Sequence, residues 1–271
     1  MPSFTDQIGR TILLPQIPRR IISLVPSQTE LLFSLGLDEQ VVGITKFCVH
    51  PVSWFQSKPR IGGTKAIDAA RIHALQPDLI IANKEENDKQ QVEALATRYP
   101  VWVSDVKTLS EALAMIRSVG ALTGKETRAA ELANEIDARF SILTTPSKTA
   151  MVAYLIWYRP WMAAGGDTFI HQMLRYCGFD NAFGDRDRYP QIDPAELTGI
   201  PDLTILLSSE PYPFRQRHIH EIQKTLPNAR IMLVDGELFS WYGSRLLHAP
   251  DYFRQLPGRS STPPPQEIPT L

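Results

Sequence analysis

The sequence predicts an α/β protein of two Rossmann-like lobes with parallel sheets, joined by one long backbone helix. Three observations lead there. Short apolar runs at 21–25, 41–45, 79–83 and 101–105 alternate with helical patterns, and after a gap they return at 151–157, 203–208 and 231–235. Several of these runs are continuously apolar and bounded by Pro or Gly, as strands covered on both faces are. The gap holds the longest helical stretch, and the two halves echo each other across it.

In that stretch, Thr108-Leu109-Ser110-Glu111 has the spacing of a capping box, and Leu109, Leu113, Ile116, Val119 and Leu122 follow at helical intervals. Beyond Gly124 the pattern resumes with Ala129, Leu132, Ile136, Phe140 and Leu143, and it ends at Thr144-Thr145-Pro146. A helix of about 20 residues spans roughly 30 Å, the width of a small domain. The expected division is an N-terminal lobe at 1–125, a connecting helix at 126–147, a C-terminal lobe at 148–255 and an extended tail at 256–271. The echo consists of Ile67-Asp68-Ala69-Ala70-Arg71-Ile72 before Pro77-Asp78-Leu79, and Ile192-Asp193-Pro194-Ala195-Glu196-Leu197 before Pro201-Asp202-Leu203. Each reads as a short helix and a turn into a buried strand.

Composition removes several function classes. With 43% hydrophobic and 21% charged residues in 271, a real core is expected and global disorder is not. A net charge of -1 gives no electrostatic case for nucleic acid. Cys48 and Cys177 are too few and too far apart for a disulfide framework. No apolar run is long enough for a membrane-spanning helix. The opening Met1-Pro2-Ser3-Phe4-Thr5-Asp6 has no basic segment before an apolar run, so the chain as given is expected in the cytoplasm, or in the periplasm if a signal has been removed.

Candidate site residues fall where strands end. Ser27-Gln28-Thr29-Glu30 follows the first strand and has the spacing of a capping box, which would aim helix amides at the carboxyl end of the sheet. Phe47, Cys48 and His50 follow the second strand as a possible ligand wall, with Cys48 and His50 as candidate metal ligands although no second Cys/His cluster has zinc spacing. Glu85 lies in the polar run 83–87 after the third. In the second half, Trp157, Arg159 and Trp161 follow one strand, and Tyr189 and Trp241 occupy comparable edges. Aromatic walls with a few polar anchors suit a large flat ligand. His218 and His220, beside Arg215 and Arg217, read as solvated surface. Phosphate-binding glycine loops, nucleophile elbows and zinc-protease motifs are absent, so no enzyme is expected and no cofactor is required.

Asp6-Gln7-Ile8-Gly9-Arg10-Thr11, then Pro18-Arg19-Arg20-Ile21-Ile22-Ser23-Leu24, together with Ser27-Gln28-Thr29-Glu30-Leu31 and Leu75-Gln76-Pro77-Asp78-Leu79-Ile80, resemble the class III substrate-binding proteins of ABC importers for cobalamin, haem and ferric siderophores. The resemblance covers about residues 4–255 and is nearest to the cobalamin-binding branch. It implies two lobes on a backbone helix that clamp a corrinoid or related metal chelate, with an ABC permease as partner and the chain acting as a monomer. By position, Phe47, Trp161 and Tyr189 keep the aromatic rings of that branch, while Thr64 and Asn83 stand where it has tryptophans. Glu196 matches the second-lobe carboxylate that docks on the transporter; Ala70 stands at the first-lobe position. A free-metal or ferric-siderophore receptor, and an intracellular tetrapyrrole-handling enzyme or chaperone, remain the alternatives.

Overall fold

The structure is a computed structural model and describes residues 2–143 and 150–256. Each of the seven apolar runs forms a strand. A short hairpin, β1 (Ser3–Thr5) and β2 (Thr11–Leu13), precedes the first sheet. That sheet is fully parallel in the order β4 (Val41–Ile44), β3 (Ile21–Ser23), β5 (Leu79–Asn83), β6 (Val101–Ser104). Every residue of β3, β5 and β6 is buried, because helices cover both faces: α1 (Pro26–Ser34), α2 (Val52–Ser57), α3 (Ala69–Leu75), α4 (Lys89–Ala96) and α5 (Leu109–Thr123).

The second sheet forms around β7 (Ala150–Trp157). Strand β10 (Thr204–Ser208) pairs with it in parallel and carries β11 (Arg230–Val234) on its far side. On the other edge β7 pairs with the antiparallel β8 (Met162–Ala163) and the parallel β9 (Phe179–Asn181), both too short to stand out as apolar runs. Helices α7 (Phe169–Tyr176), α8 (Gln216–Thr225), α9 (Glu237–Ser240) and α10 (Ala249–Gln255) complete this half. No helix among the described residues is long and apolar enough to cross a membrane.

Between the sheets runs α6 (Glu126–Ser141). The expected capping box starts the helix before it: Glu111 N–H donates to Thr108 Oγ1 at 3.2 Å, and Thr108 N–H donates to the Glu111 carboxylate at 2.9 Å. Gly124, in the left-handed region at φ 67°, ends α5, and the chain reverses into α6. Ala129, Ala133, Ile136 and Phe140 form the buried stripe of α6. Ala129 lies on α5, whereas Phe140 meets Tyr176 of α7 at 4.9 Å and Phe253 of α10 at 6.3 Å, ring centre to ring centre. One helix therefore leans on both halves. At 16 residues it covers about 24 Å, less than expected, and 144–147 lie outside the described residues, as does the tail from 257.

The other expected capping box does not form. Helix α1 begins at Pro26, whose fixed φ suits a first helical position, so Ser27 and Glu30 sit inside the first turns and Val25 occupies the cap. Glu30 is thereby freed to bond elsewhere.

The α5–α6 contact depends on a missing side chain. A Cβ added at Gly120 would lie 2.3 Å from the Ala129 Cβ, so the two helices approach at van der Waals distance only with glycine there. Gly120→Ala should lower the unfolding free energy in urea by about 1–3 kcal/mol, through overpacking of the helix pair. Adding Ala129→Gly should restore part of the loss, because it removes the atom being struck.

Candidate functional site

Strands of both parallel sheets deliver their carboxyl ends to the space between the halves, where open α/β sheets bind ligands. After β5 the turn is fixed by its own amides. Asn83 Oδ1 accepts the N–H groups of Glu85 and Glu86 at 2.8 and 2.9 Å, and Asn87 Oδ1 accepts Asn83 N–H at 2.8 Å. These bonds fix the backbone that carries both glutamates. Across the gap, β10 ends in Ser208 with Glu210 two residues beyond, and the turn after β11 lies against it. A Cβ on Gly236 would meet Ser208 Oγ at 2.3 Å, so that approach requires glycine. The close fit places Trp241 Nε1–H 2.9 Å from Glu210 Oε1, with Ser240 Oγ–H donating to the same oxygen.

A third turn reaches the site over Gly165 and Gly166. Their N–H groups donate to the carbonyls of Arg188 and Arg186 at 2.8 and 2.7 Å; a Cβ at Gly165 would strike that strip of backbone, and one at Gly166 the carbonyl of Gly184 just before it. The strip carries Arg188, at φ 60°, and Tyr189.

Contacts then cross from one half to the other. Arg188 pairs with Glu85 at 2.7 Å, and Lys107 with Asp167 at 3.1 Å. Arg245, near the chain's end, holds Glu30 of α1 at 2.7 Å and Glu237 of α9 at 2.6 Å. His50 Nε2 lies 3.4 Å from the same Glu237, its ring edge-on to Trp241 at 5.7 Å, and the Arg245 guanidinium covers Trp241 at 4.7 Å. Tyr242 O–H donates to Glu86 Oε1 at 3.2 Å. His50, Glu85 and Trp241 thus make contacts across the two halves, and Tyr189 follows Arg188, the partner of Glu85.

Burial sets the protonation of this network. The Glu86 carboxyl is pushed up to about 7 by desolvation and by Glu210 facing it, against the pull of Tyr242 and Lys65. Glu210 is pushed up to about 7 by desolvation, with Glu237 and Asp235 adding to it and Ser240 and Trp241 opposing. Tyr189 is raised by burial beside Glu85 and Glu86, and His50 by its bond to Glu237.

The remaining expected residues stand apart. Cys48 is wholly buried, with its sulfur 3.0 and 3.1 Å from the hydroxyls of Thr29 and Thr45, and burial raises its thiol. It therefore shares no wall with His50. Among the described residues no group of three or more His, Cys, Asp or Glu is placed to hold a metal ion. Phe47 is 51% exposed and lies over Gly63. Trp161 is packed in a separate aromatic group with Tyr158, while Trp157 meets Tyr212 at 5.5 Å and Arg159 covers Tyr158 at 5.0 Å. His218 belongs to that group and is 2% exposed, contrary to the solvated surface expected of it. The reason is local: its Nδ1 accepts Arg215 N–H at 2.8 Å and caps α8.

The family model of periplasmic binding proteins matches residues 21–225. The chain belongs to this family. It is 27% identical over 244 residues to a vitamin B12-binding protein of Pectobacterium atrosepticum, covering 86% of each chain. To an uncharacterized ABC transporter substrate-binding lipoprotein, YvrC, of Bacillus subtilis it is 25% identical, over 89% of this chain and 81% of that one. Two solved Vibrio cholerae proteins share the fold at 20% identity: the periplasmic vitamin B12 binding protein BtuF (TM-score 0.68, covering 88% and 96%) and the periplasmic heme binding protein HutB (TM-score 0.75, covering 88% and 98%).

In this periplasmic binding protein Glu196 sits in a 3-10 turn, Pro194–Leu197, bonded to Asp193 N–H at 2.8 Å and paired with Arg186. Ala70 is exposed at the start of α3, where Asp68 caps the helix and pairs with Arg71 at 3.0 Å. Sequence reasoning had not singled out Glu86, Glu210, Glu237 or Arg245, and had read Glu30 as a cap. Glu210 could have been found as a charge just past a buried strand, like Glu85. Arg245 has no such signal.

Arg245→Ala strips two carboxylates of their partner in a half-buried setting, so it should lower the unfolding free energy by about 1–3 kcal/mol. Arg254→Ala, which breaks the exposed pair with Asp251, should cost less than about 1 kcal/mol in the same urea titration.

Glu86 and Glu210 hold protons in the native state that the unfolded chain has released, so they stabilise below the ordinary carboxyl value and that contribution fades as pH rises from about 4.5 through about 7. The melting temperature of the wild type relative to Glu86→Gln/Glu210→Gln should fall across that window. An unchanged difference between about pH 5 and about pH 8 would show that neither group is shifted.

Proposed function

We propose that this protein clamps a corrinoid or related metal chelate between lobes at 1–125 and 148–255, joined by 126–147, and presents it to an ABC permease. No covalent chemistry is involved. The observation that carries the reading is the interlobe network itself, in which aromatic and polar side chains from turns of both sheets meet at the strands' carboxyl ends. The vitamin B12-binding relative, which the chain matches along most of its length, supports the corrinoid among the possible chelates.

The ligand wall then consists of His50, Glu85, Tyr189 and Trp241, joined by Glu86, Glu210 and Tyr242. Phe47, 51% exposed, becomes a wall only when ligand covers it. Trp157, Arg159 and Trp161 form a second aromatic surface of the C-terminal half, beside an open depression that also includes Gln191 and Asp193. Docking on a permease would rest on Glu196, held in place by Arg186, without a carboxylate at position 70. The family's periplasmic description favours the exported alternative over a cytoplasmic one.

Protein purified from its own host should carry the ligand, visible by absorbance and by native mass spectrometry. Trp241→Ala should weaken cyanocobalamin binding by about 1–3 kcal/mol if the ring contacts it. Tight binding with turnover of the corrinoid would refute the reading in favour of an enzyme; an unchanged dissociation constant in a folded variant would remove Trp241 from the wall.

A further inference from the structure

The carboxylates of the interlobe site divide into two kinds. Glu30 and Glu237 share Arg245 as ion-pair partner, and Glu85 has Arg188. Glu86 and Glu210 form no ion pair among the described residues; they come from opposite halves and are bonded by the consecutive residues Tyr242 and Trp241, and Glu210 adds to the raised proton affinity of Glu86. Lys65 is directed to the Glu85 and Asn87 carbonyl oxygens, at 2.6 and 3.4 Å, and acts on Glu86 only through space. What Glu86 and Glu210 do receive are neutral donors: Tyr242 O–H on one, Trp241 N–H and Ser240 O–H on the other. All of these bonds fall on the Oε1 atoms, which leaves the Oε2 lone pairs to accept from whatever enters.

A half-desolvated carboxylate gains from a donor and loses from another anion, and both effects are stronger there than in water. We propose that Glu86 and Glu210 determine the specificity of the cleft: they accept hydrogen bonds from a chelate whose rim carries carboxamide or ammonium groups, and they turn away one whose rim carries carboxylates. This deepens the reading of the cleft as the ligand site and rests on it. A corrinoid with its carboxamide rim satisfies the pair; a haem with two propionates opposes it.

The test titrates wild type and Glu86→Gln/Glu210→Gln at about pH 8, where carboxylates raised to about 7 are mostly ionised. The probes are cyanocobalamin (carboxamide rim), ferrioxamine (ammonium-bearing hydroxamate) and haemin (carboxylate rim). Glutamine keeps an acceptor oxygen for Tyr242 and Trp241, and circular dichroism confirms the fold; if the double variant does not fold, Glu210→Gln alone is used. The expected result is a preference of about tenfold or more for cyanocobalamin or ferrioxamine over haemin, narrowed about five- to tenfold in the variant as haemin gains. Wild type that prefers haemin, or a preference that the variant leaves intact, overturns the inference. Cyanocobalamin bound with that intact preference leaves the corrinoid reading standing. Ferrioxamine taken instead of cyanocobalamin, with the preference lost in the variant, upholds the pair and removes the corrinoid. Binding of none of the three overturns both.

Discussion

Arg245 is a guanidinium shielded from most of the solvent, and a charge so placed has to find carboxylates. It finds Glu30 on the first helix of the chain and Glu237 in the second half. The segment that carries it returns from β11 to lie on α1, where a Cβ at Gly243 would strike the Ser27 carbonyl at 2.7 Å. Once that segment is down, Trp241 is fixed beneath the guanidinium, His50 meets its edge, and Tyr242 reaches Glu86. The interlobe site is largely a consequence of this one anchoring.

The remaining geometry follows from how parallel strands end. Each strand must hand its chain to a helix through a short turn, and the turns gather at one edge of the sheet. Here they are stiffened by side chains that serve the backbone, Asn83 and Asn87 at the end of β5 and Ser208 at the end of β10, and by the backbone bonds of Gly165 and Gly166 to Arg188 and Arg186. Rigid turns hold glutamates where flexible ones would let them swing into water. Glu86 and Glu210, from opposite halves, are bonded there by the consecutive residues Tyr242 and Trp241.

The charges of this site are largely paired across the halves: Arg188 with Glu85, Lys107 with Asp167, and Arg245 with Glu30. The second aromatic group, around Tyr158 and Tyr212, is packed chiefly on itself and has the character of a core extension with an open rim.

The sequence by itself determined the fold class, the seven principal strands and the helix between the halves, because strand burial and helix amphipathicity are local patterns written in residue order. It also placed His50, Glu85, Tyr189 and Trp241 at strand ends, since loops after parallel strands are readable from the strands themselves. It misjudged Cys48, whose position after β4 could not reveal that Thr29 and Thr45 enclose the sulfur. It misjudged Trp161 as a neighbour of Trp241, since spacing along a chain says nothing of distance between turns. It took Glu30 for a cap because the four-residue spacing fits, while Pro26 had already begun the helix two residues earlier. Which carboxylate meets which base, and which pair is left facing without one, was decided only by tertiary structure: Arg245 and Glu30 lie at opposite ends of the chain, and the energy that joins them depends on distance in space.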